Sequence, residues 1–282
     1  MFQYAAARRL AGKHRTELKL DLSFFDQKHN KNTTPRPYAL NIFNTIQTSA
    51  TQQEIKKLWP QSANTLAGKV IDKLTAHGLI KTRRYLEKTF HFNPEILDLP
   101  DQTYLDGYFQ SEKYFNDIEK ILRKEFTLKD PLPQKAAEIA KQIRATESVS
   151  LHVRRGDYIT NKAASNFHGI CDLDYYRKAI NFIQHKIPTP LFYIFSDDPA
   201  WVKENLPLPT SATFMADHVD KDYIELILMG YCKHNILANS SFSWWGAWLN
   251  ENPNKLVVAP INWFKDPGIN TNDLIPNNWT RF

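Results

Sequence analysis

From residue 148 onward the chain repeats one pattern, and that pattern restricts the fold more than any other feature. A short apolar run is followed by a stretch with apolar residues at helical spacing, and the pair then recurs. "ESVSLHV" (147–153) reads as a strand. "DYYRKAINFIQHKI" (174–187) places Tyr176, Ala179, Ile180, Ile183 and Ile187 on one helical face, with Asp174 read as its cap. "PLFYIFSDD" (190–198) is a strand running into acids, and "PAWVKENL" (199–206) starts a helix with Pro at a favoured position. "ATFM" (212–215), "NILAN" (235–239) and "KLVVAP" (255–260) read as further strands, alternating with helices over 221–234 and 242–250. Strands apolar on both faces, separated by amphipathic helices, require a parallel sheet covered on both sides.

In such an open, Rossmann-like α/β sheet, ligands bind outside the carboxyl ends of the strands. Three of these ends carry polar residues. "LHVRRGDY" (151–158) delivers His152, Arg154, Arg155 and Asp157. Arginine beside a diphosphate offers bidentate, permanently charged hydrogen bonds. "FSDDPAW" (195–201) sets Asp197 and Asp198 between strand and helix, where a carboxylate accepts from ribose hydroxyls or a guanine edge. "LANSSFSWWGAWL" (237–249) ends a strand at Asn239 and places Ser240 and Ser241 at a helix start, which favours a phosphate. Each end also has a plain structural reading: an Arg–Asp pair, a cap by Asp198 ahead of Pro199, and a cap by serine. Trp244, Trp245 and Trp248 are expected to be mainly core. Together the three ends describe a nucleoside-diphosphate site without a metal cluster.

The first half is less regular. "MFQYAAARRLA" opens it as an amphipathic helix, and "TELKLDL" (16–22) alternates like a strand. Helical windows fall at 51–58, 63–76, 114–126 and 135–147, and "DPLPQ" (130–134) reads as a linker. The expected domains are therefore 1–131 and 132–282.

The net charge of +6 is spread along the chain, so a nucleic-acid arm is not indicated. Two cysteines, Cys171 and Cys232, form neither a disulfide framework nor a metal site. With no secretory leader and no apolar run of about 18 residues, the expectation is a cytoplasmic protein, with peripheral membrane contact through basic side chains.

"HVRRGDY", "FSDD" and "ANSSFSWWGAWLN", in that order, resemble the bacterial α-1,2-fucosyltransferases of glycosyltransferase family eleven. "YLDGYFQSEKYF" (104–115) and "VAPINWF" (258–264) resemble further segments of that family. The resemblance implies a GT-B architecture, with two Rossmann-like domains facing a cleft. It implies inverting transfer of L-fucose from GDP-fucose to the 2-hydroxyl of a galactoside, as in O-antigen or other lipopolysaccharide synthesis. By the same resemblance Arg154 binds the β-phosphate. His152 with Asp197 or Asp198 holds the guanosine, and Ser240 or Ser241 contacts phosphate. No metal is expected. Asp157, Asp21 and Asp106 are candidates for a base at the acceptor hydroxyl. A fucosyltransferase of another linkage and a non-catalytic nucleotide-sugar binder are the alternatives.

The chain departs from the family pattern at its start. Members resembling it begin with a hydrophobic strand and a Gly-Asn-Gln loop, whereas this chain opens at the Met that follows. The expectation is an N-terminal domain incomplete at its start, with weakened activity.

Overall fold

The structure is a computed structural model describing residues 1–26, 37–59, 83–156, 167 and 169–282. It divides into two units. The first comprises Met1–Lys129 with Asn270–Leu274, and the second Asp130–Ile269 with Ile275–Phe282. Sequence reasoning assigns 270–274 to the second domain, but its bonds run to the first unit. The Asp273 carboxylate accepts from the Phe92 N–H at 3.0 Å and pairs with Lys113, while the Ser111 hydroxyl donates to the Asp273 carbonyl at 2.6 Å.

In the first unit, helix α1 (Phe2–His14) buries Phe2, Tyr4, Ala5, Ala6, Leu10 and Ala11. Arg15, in the left-handed region at φ 55°, stops it. A second helix, Gln52–Leu58, starts on a capping box between Thr51 and Glu54. Strands β1 (Arg84–Leu86) and β2 (Tyr104–Asp106) pair in parallel. The alternating run 16–22 is not a strand and contributes only a bridge from Leu20 to Ser49. Its pattern loses to local bonding. The Asp21 carboxylate accepts from the Ser23 N–H at 2.9 Å, turning the chain into the short helix Ser23–Asp26. The window 114–126 resolves into 3₁₀ turns followed by a helix at Glu119–Glu125. The expected helix at 63–76 lies outside the described residues.

The second unit carries a six-stranded, all-parallel sheet: β3 (Ser148–Val153), β4 (Leu191–Ser196), β5 (Thr213–Phe214), β6 (His234–Ile236), β7 (Val257–Ala259) and β8 (Thr280–Arg281). The spatial order is β5-β4-β3-β6-β7-β8. The order reverses between β3 and β6, as in dinucleotide-binding sheets.

Side chains alternate across the sheet. Val149, Leu151 and Val153 of β3, with Phe192 and Ile194 of β4, pack with Tyr176, Ala179, Ile180 and Ile183 of the helix Leu173–Lys186. On the opposite face Tyr193 and Phe195 meet the helices Gln134–Ala145 and Asp222–Tyr231. The cap of the helix Leu173–Lys186 is Asp172, two residues before the expected Asp174, and accepts from the Tyr175 N–H at 2.7 Å.

β3 turns Ser148, Ser150 and His152 toward this opposite face, and all three are buried. The Ser148 hydroxyl accepts from the Lys233 N–H at 3.1 Å, and that of Ser150 from Asn235 Nδ2 at 2.7 Å. Buried polar groups on a central strand are tolerated when paired in this way.

Candidate functional site

The carboxyl ends of β4, β3 and β6 are neighbours, so the topology brings the three polar segments to one edge of the sheet. Immediately after β3, Arg154 Nε lies 3.2 Å from Asp197 Oδ2, and Arg155 Nε lies 3.4 Å from Asp198 Oδ2. The second Asp197 oxygen accepts the Arg155 backbone N–H at 2.9 Å. A Cβ on Gly156 would lie 3.1 Å from that same carboxylate, so glycine keeps the approach open. Asp198 caps the helix Pro199–Asn205 by accepting from the Trp201 N–H at 3.2 Å. The Arg155 guanidinium lies over the Trp201 ring, 4.2 Å from its centroid.

Both structural readings of these ends therefore hold. The arginines are paired, and Asp198 is a cap. The consequence for the site is orientation. Each carboxylate fixes the guanidinium plane of one arginine, so two permanent cations stand in set directions at the strand edge.

His152 is 4% exposed, and its ring packs 5.7 Å from that of Phe242. Burial, helped by the Arg154 charge, drives its pKa down to about 3, so the imidazole is neutral. Nδ1 has no hydrogen-bond partner among the described residues. It is the one member of the Ser148–Ser150–His152 row left in that state.

Phe242 belongs to the helix Ser241–Leu249, capped by the Ser240 hydroxyl accepting from the Phe242 N–H at 3.3 Å. Ser241 is exposed on its first turn. The helix therefore starts beside His152. Behind it Trp244, Trp245 and Trp248 are all buried, with Trp279 against Trp244 at 5.5 Å, so the indoles are core.

Asn239 turns inward and is 2% exposed. Its Nδ2 donates to the carbonyls of Gly169 at 3.3 Å and Trp263 at 3.2 Å. The Cys171 thiol donates to its Oδ1 at 3.4 Å. These bonds brace the loop at Gly169, whose φ of +70° suits glycine. Cys171 and Cys232 are both buried free thiols. Asp157 lies outside the described residues.

Sequence reasoning missed Glu225, which sits within an otherwise apolar helix run. Burial, with the Asp222 and Asp197 charges nearby, raises its pKa to about 7. The signal available in the sequence was an acid one turn after Asp222 on a face of Ile and Leu.

In the first unit, Asp21 and Asp106 are engaged. Burial raises the Asp21 pKa, but bonds from Ser23 and from the Tyr104 hydroxyl (2.7 Å) prevail and hold it below the usual range. Asp106 accepts from Arg84 Nε at 2.8 Å, and that guanidinium lies 4.1 Å from the centroid of the Trp59 ring. No helix among the described residues is long and apolar enough to cross a membrane.

Residues 74–282, which include all three strand ends, match the sequence profile of the family described as Glycosyl transferase family 11. The "O-antigen biosynthesis glycosyltransferase WbnK" of Escherichia coli is 34% identical over 99% of this chain and 95% of its own length. An "Alpha-1,2-colitosyltransferase" of Escherichia coli is 36% identical over 62% of this chain and 61% of its own. The human "Galactoside alpha-(1,2)-fucosyltransferase 1" is 30% identical over 55% of this chain and 45% of its own.

Proposed function

The chain belongs to glycosyl transferase family 11, and from that premise we propose that it transfers L-fucose from GDP-fucose to the 2-hydroxyl of a galactoside, with inversion, during synthesis of a surface glycan such as O-antigen. The observation that carries this reading is the fixed arginine pair beside a helix start at the point where the strand order reverses. That arrangement suits a nucleoside diphosphate.

The reaction breaks the bond between sugar C1 and a β-phosphate oxygen, and the electron pair stays on the phosphate. The acceptor oxygen bonds C1 from the opposite face and loses its proton. Arg154, held by Asp197, is the cation at the developing phosphate charge, and the start of the helix Ser241–Leu249 shares that load. Asp197 and Asp198 act first as positioning residues, since their oxygens already serve Arg154, Arg155 and Trp201. His152, neutral and with an unfilled acceptor or donor atom, contacts the guanosine. Of the three candidate bases, Asp21 and Asp106 already accept hydrogen bonds from Tyr104 and Arg84. The scheme uses no metal, so turnover is expected to persist in EDTA.

The 36% identity to a colitosyltransferase favours a second reading in which the donor sugar is colitose, which is fucose without its 3-hydroxyl. GDP release with GDP-fucose and with GDP-colitose, over a panel of β-galactosides, separates the two. Arg154→Ala is expected to lower kcat by about 10²–10³, the usual effect of removing one stabiliser of developing oxyanion charge. Unchanged turnover in that variant, or no GDP release with any acceptor, would refute the proposal.

A further inference from the structure

The two arginines after β3 are not held alike. Arg154 Nε lies 3.2 Å from Asp197, whereas Arg155 Nε lies 3.4 Å from Asp198 and is buried without a hydrogen-bond partner among the described residues. A contact of that length attracts the side chain but restrains it less than an aligned hydrogen bond would. The indole of Trp201 supplies the second restraint. The Arg155 guanidinium carbon stands 4.2 Å from the ring centroid, within the range of a cation–π contact. A planar cation stacked over a flat ring takes its orientation from that ring.

The ring is itself seated. Trp201 packs against the core cluster that contains Val153 and Val202, and its carbonyl accepts from Asn205 Nδ2 at 2.9 Å. The two Asp198 oxygens divide their work between ring and cation: Oδ1 accepts the Trp201 N–H at 3.2 Å, and Oδ2 faces Arg155 Nε. Carboxylate, indole and guanidinium therefore form one unit resting on the core. Its outer end is open. The Arg155 side chain is 25% exposed, and among the described residues the hydrogen bond of Arg155 runs from its backbone N–H, to Asp197. With Nε buried, the two Nη groups are the donors that reach solvent, and no acceptor among the described residues takes them up.

We propose that Trp201 is a positioning residue for the donor: its ring holds the Arg155 guanidinium so that the Nη edge takes one phosphate of the diphosphate while Arg154 takes the other. A fork of two N–H donors matches two oxygens of one phosphate, provided that its plane is fixed. A stacked indole fixes the plane without occupying any of the donors, which a second carboxylate would do. It also leaves the charge of Arg155 available, since Asp198 alone opposes it at Nε. The inference rests on the donor being a nucleoside-diphosphate sugar, as proposed above.

The test uses the full chain and compares the dissociation constants of GDP and guanosine, whose ratio reports the phosphate contacts alone. Trp201→Leu keeps an apolar side chain and removes the ring face. It is expected to raise the GDP constant about fivefold or more and the guanosine constant less than about twofold, a cation–π contact corresponding to about two- to thirtyfold. Arg155→Gln is expected to raise the GDP constant at least as far, and adding Trp201→Leu to it should change the ratio no further, because the ring acts through that arginine. Fluorinated tryptophans placed at position 201 keep the shape of the ring while weakening its negative face, and GDP affinity should fall with each added fluorine. If Trp201→Leu does not fold, this series decides. An unchanged ratio in Trp201→Leu or across the fluorinated series overturns the proposal. So does an equal loss for GDP and guanosine, or losses from Trp201→Leu and Arg155→Gln that multiply. Failure of the wild-type chain to bind GDP would instead defeat the functional reading.

Discussion

His152 makes the stability of the second unit depend on pH in a way that can be isolated. Its pKa is about 3 in the fold against 6.5 in an exposed chain, mainly because burial disfavours the charged ring. Below about 6.5 the unfolded chain takes up a proton that the folded chain refuses until about pH 3. Stability is therefore full above pH 6.5 and declines as pH falls through that window. At pH 5 the unfolded residue has gained the equivalent of one and a half pKa units. At ~1.4 kcal/mol per unit, this is a loss of about 2 kcal/mol relative to pH 8. Other groups titrate in the same range, so the measurement is a difference. Denaturant unfolding, followed by the fluorescence of the buried Trp244–Trp245–Trp248 cluster, is compared at pH 8 and pH 5 for wild type and His152→Gln. The variant's drop should be smaller by about 2 kcal/mol. Equal drops in the two proteins would show that His152 is protonated in the fold, and the neutral-imidazole reading would fail.

Two further outcomes follow from the same unit. Glu225 has the opposite sign. Its pKa of about 7 lies above the exposed value of 4.5, so its stabilising contribution is present at low pH and lost as pH rises through about 7. Glu225→Gln should therefore gain ~1–2 kcal/mol over wild type at pH 8 and almost nothing at pH 5, after allowance for partial exposure. A gain equal at both values would mean that no charge is being buried. Gly246 lies where the helices Asp222–Tyr231 and Ser241–Leu249 touch, and a Cβ there would meet Met229 Cβ at 2.7 Å. Gly246→Ala is expected to cost ~1–2 kcal/mol, overpacking exceeding the helix-propensity gain, and to lower the melting temperature. A rise in the melting temperature would show that the helices separate without penalty.

The legibility of the chain follows the physics of each part. The second unit could be read because periodicity there reflects burial on both faces of one sheet. Phe192 to Phe195 are buried in succession, so the apolar run and the strand coincide. Edges shifted by one or two residues where local bonding decides, as at Asp172, which caps a helix that apolar spacing alone would start later. The first half was harder because its order depends on side-chain bonds between distant residues. Tyr4 donates to Glu125 at 2.6 Å, and Asp21 accepts from Tyr104; neither bond leaves a periodic trace. Asn239 shows a further limit. A polar residue at a strand end looked like a ligand contact, yet its amide is spent on Gly169 and Trp263.

The arginine–aspartate pairs fit the proposed function as well as the fold. A lone arginine on a strand end would be mobile, and much of its effect on a developing phosphate charge would be lost to reorientation. Pairing it through Nε costs part of its field but sets its plane. Four charged groups then sum to nearly zero, and the positive end of the helix Ser241–Leu249 supplies the net attraction for an anion. His152 completes the arrangement by remaining uncharged. A second cation at that depth would repel Arg154, whose charge already holds the imidazole pKa down. The edge is thus oriented by carboxylates and biased by a helix, an arrangement compatible with the diphosphate proposed for it.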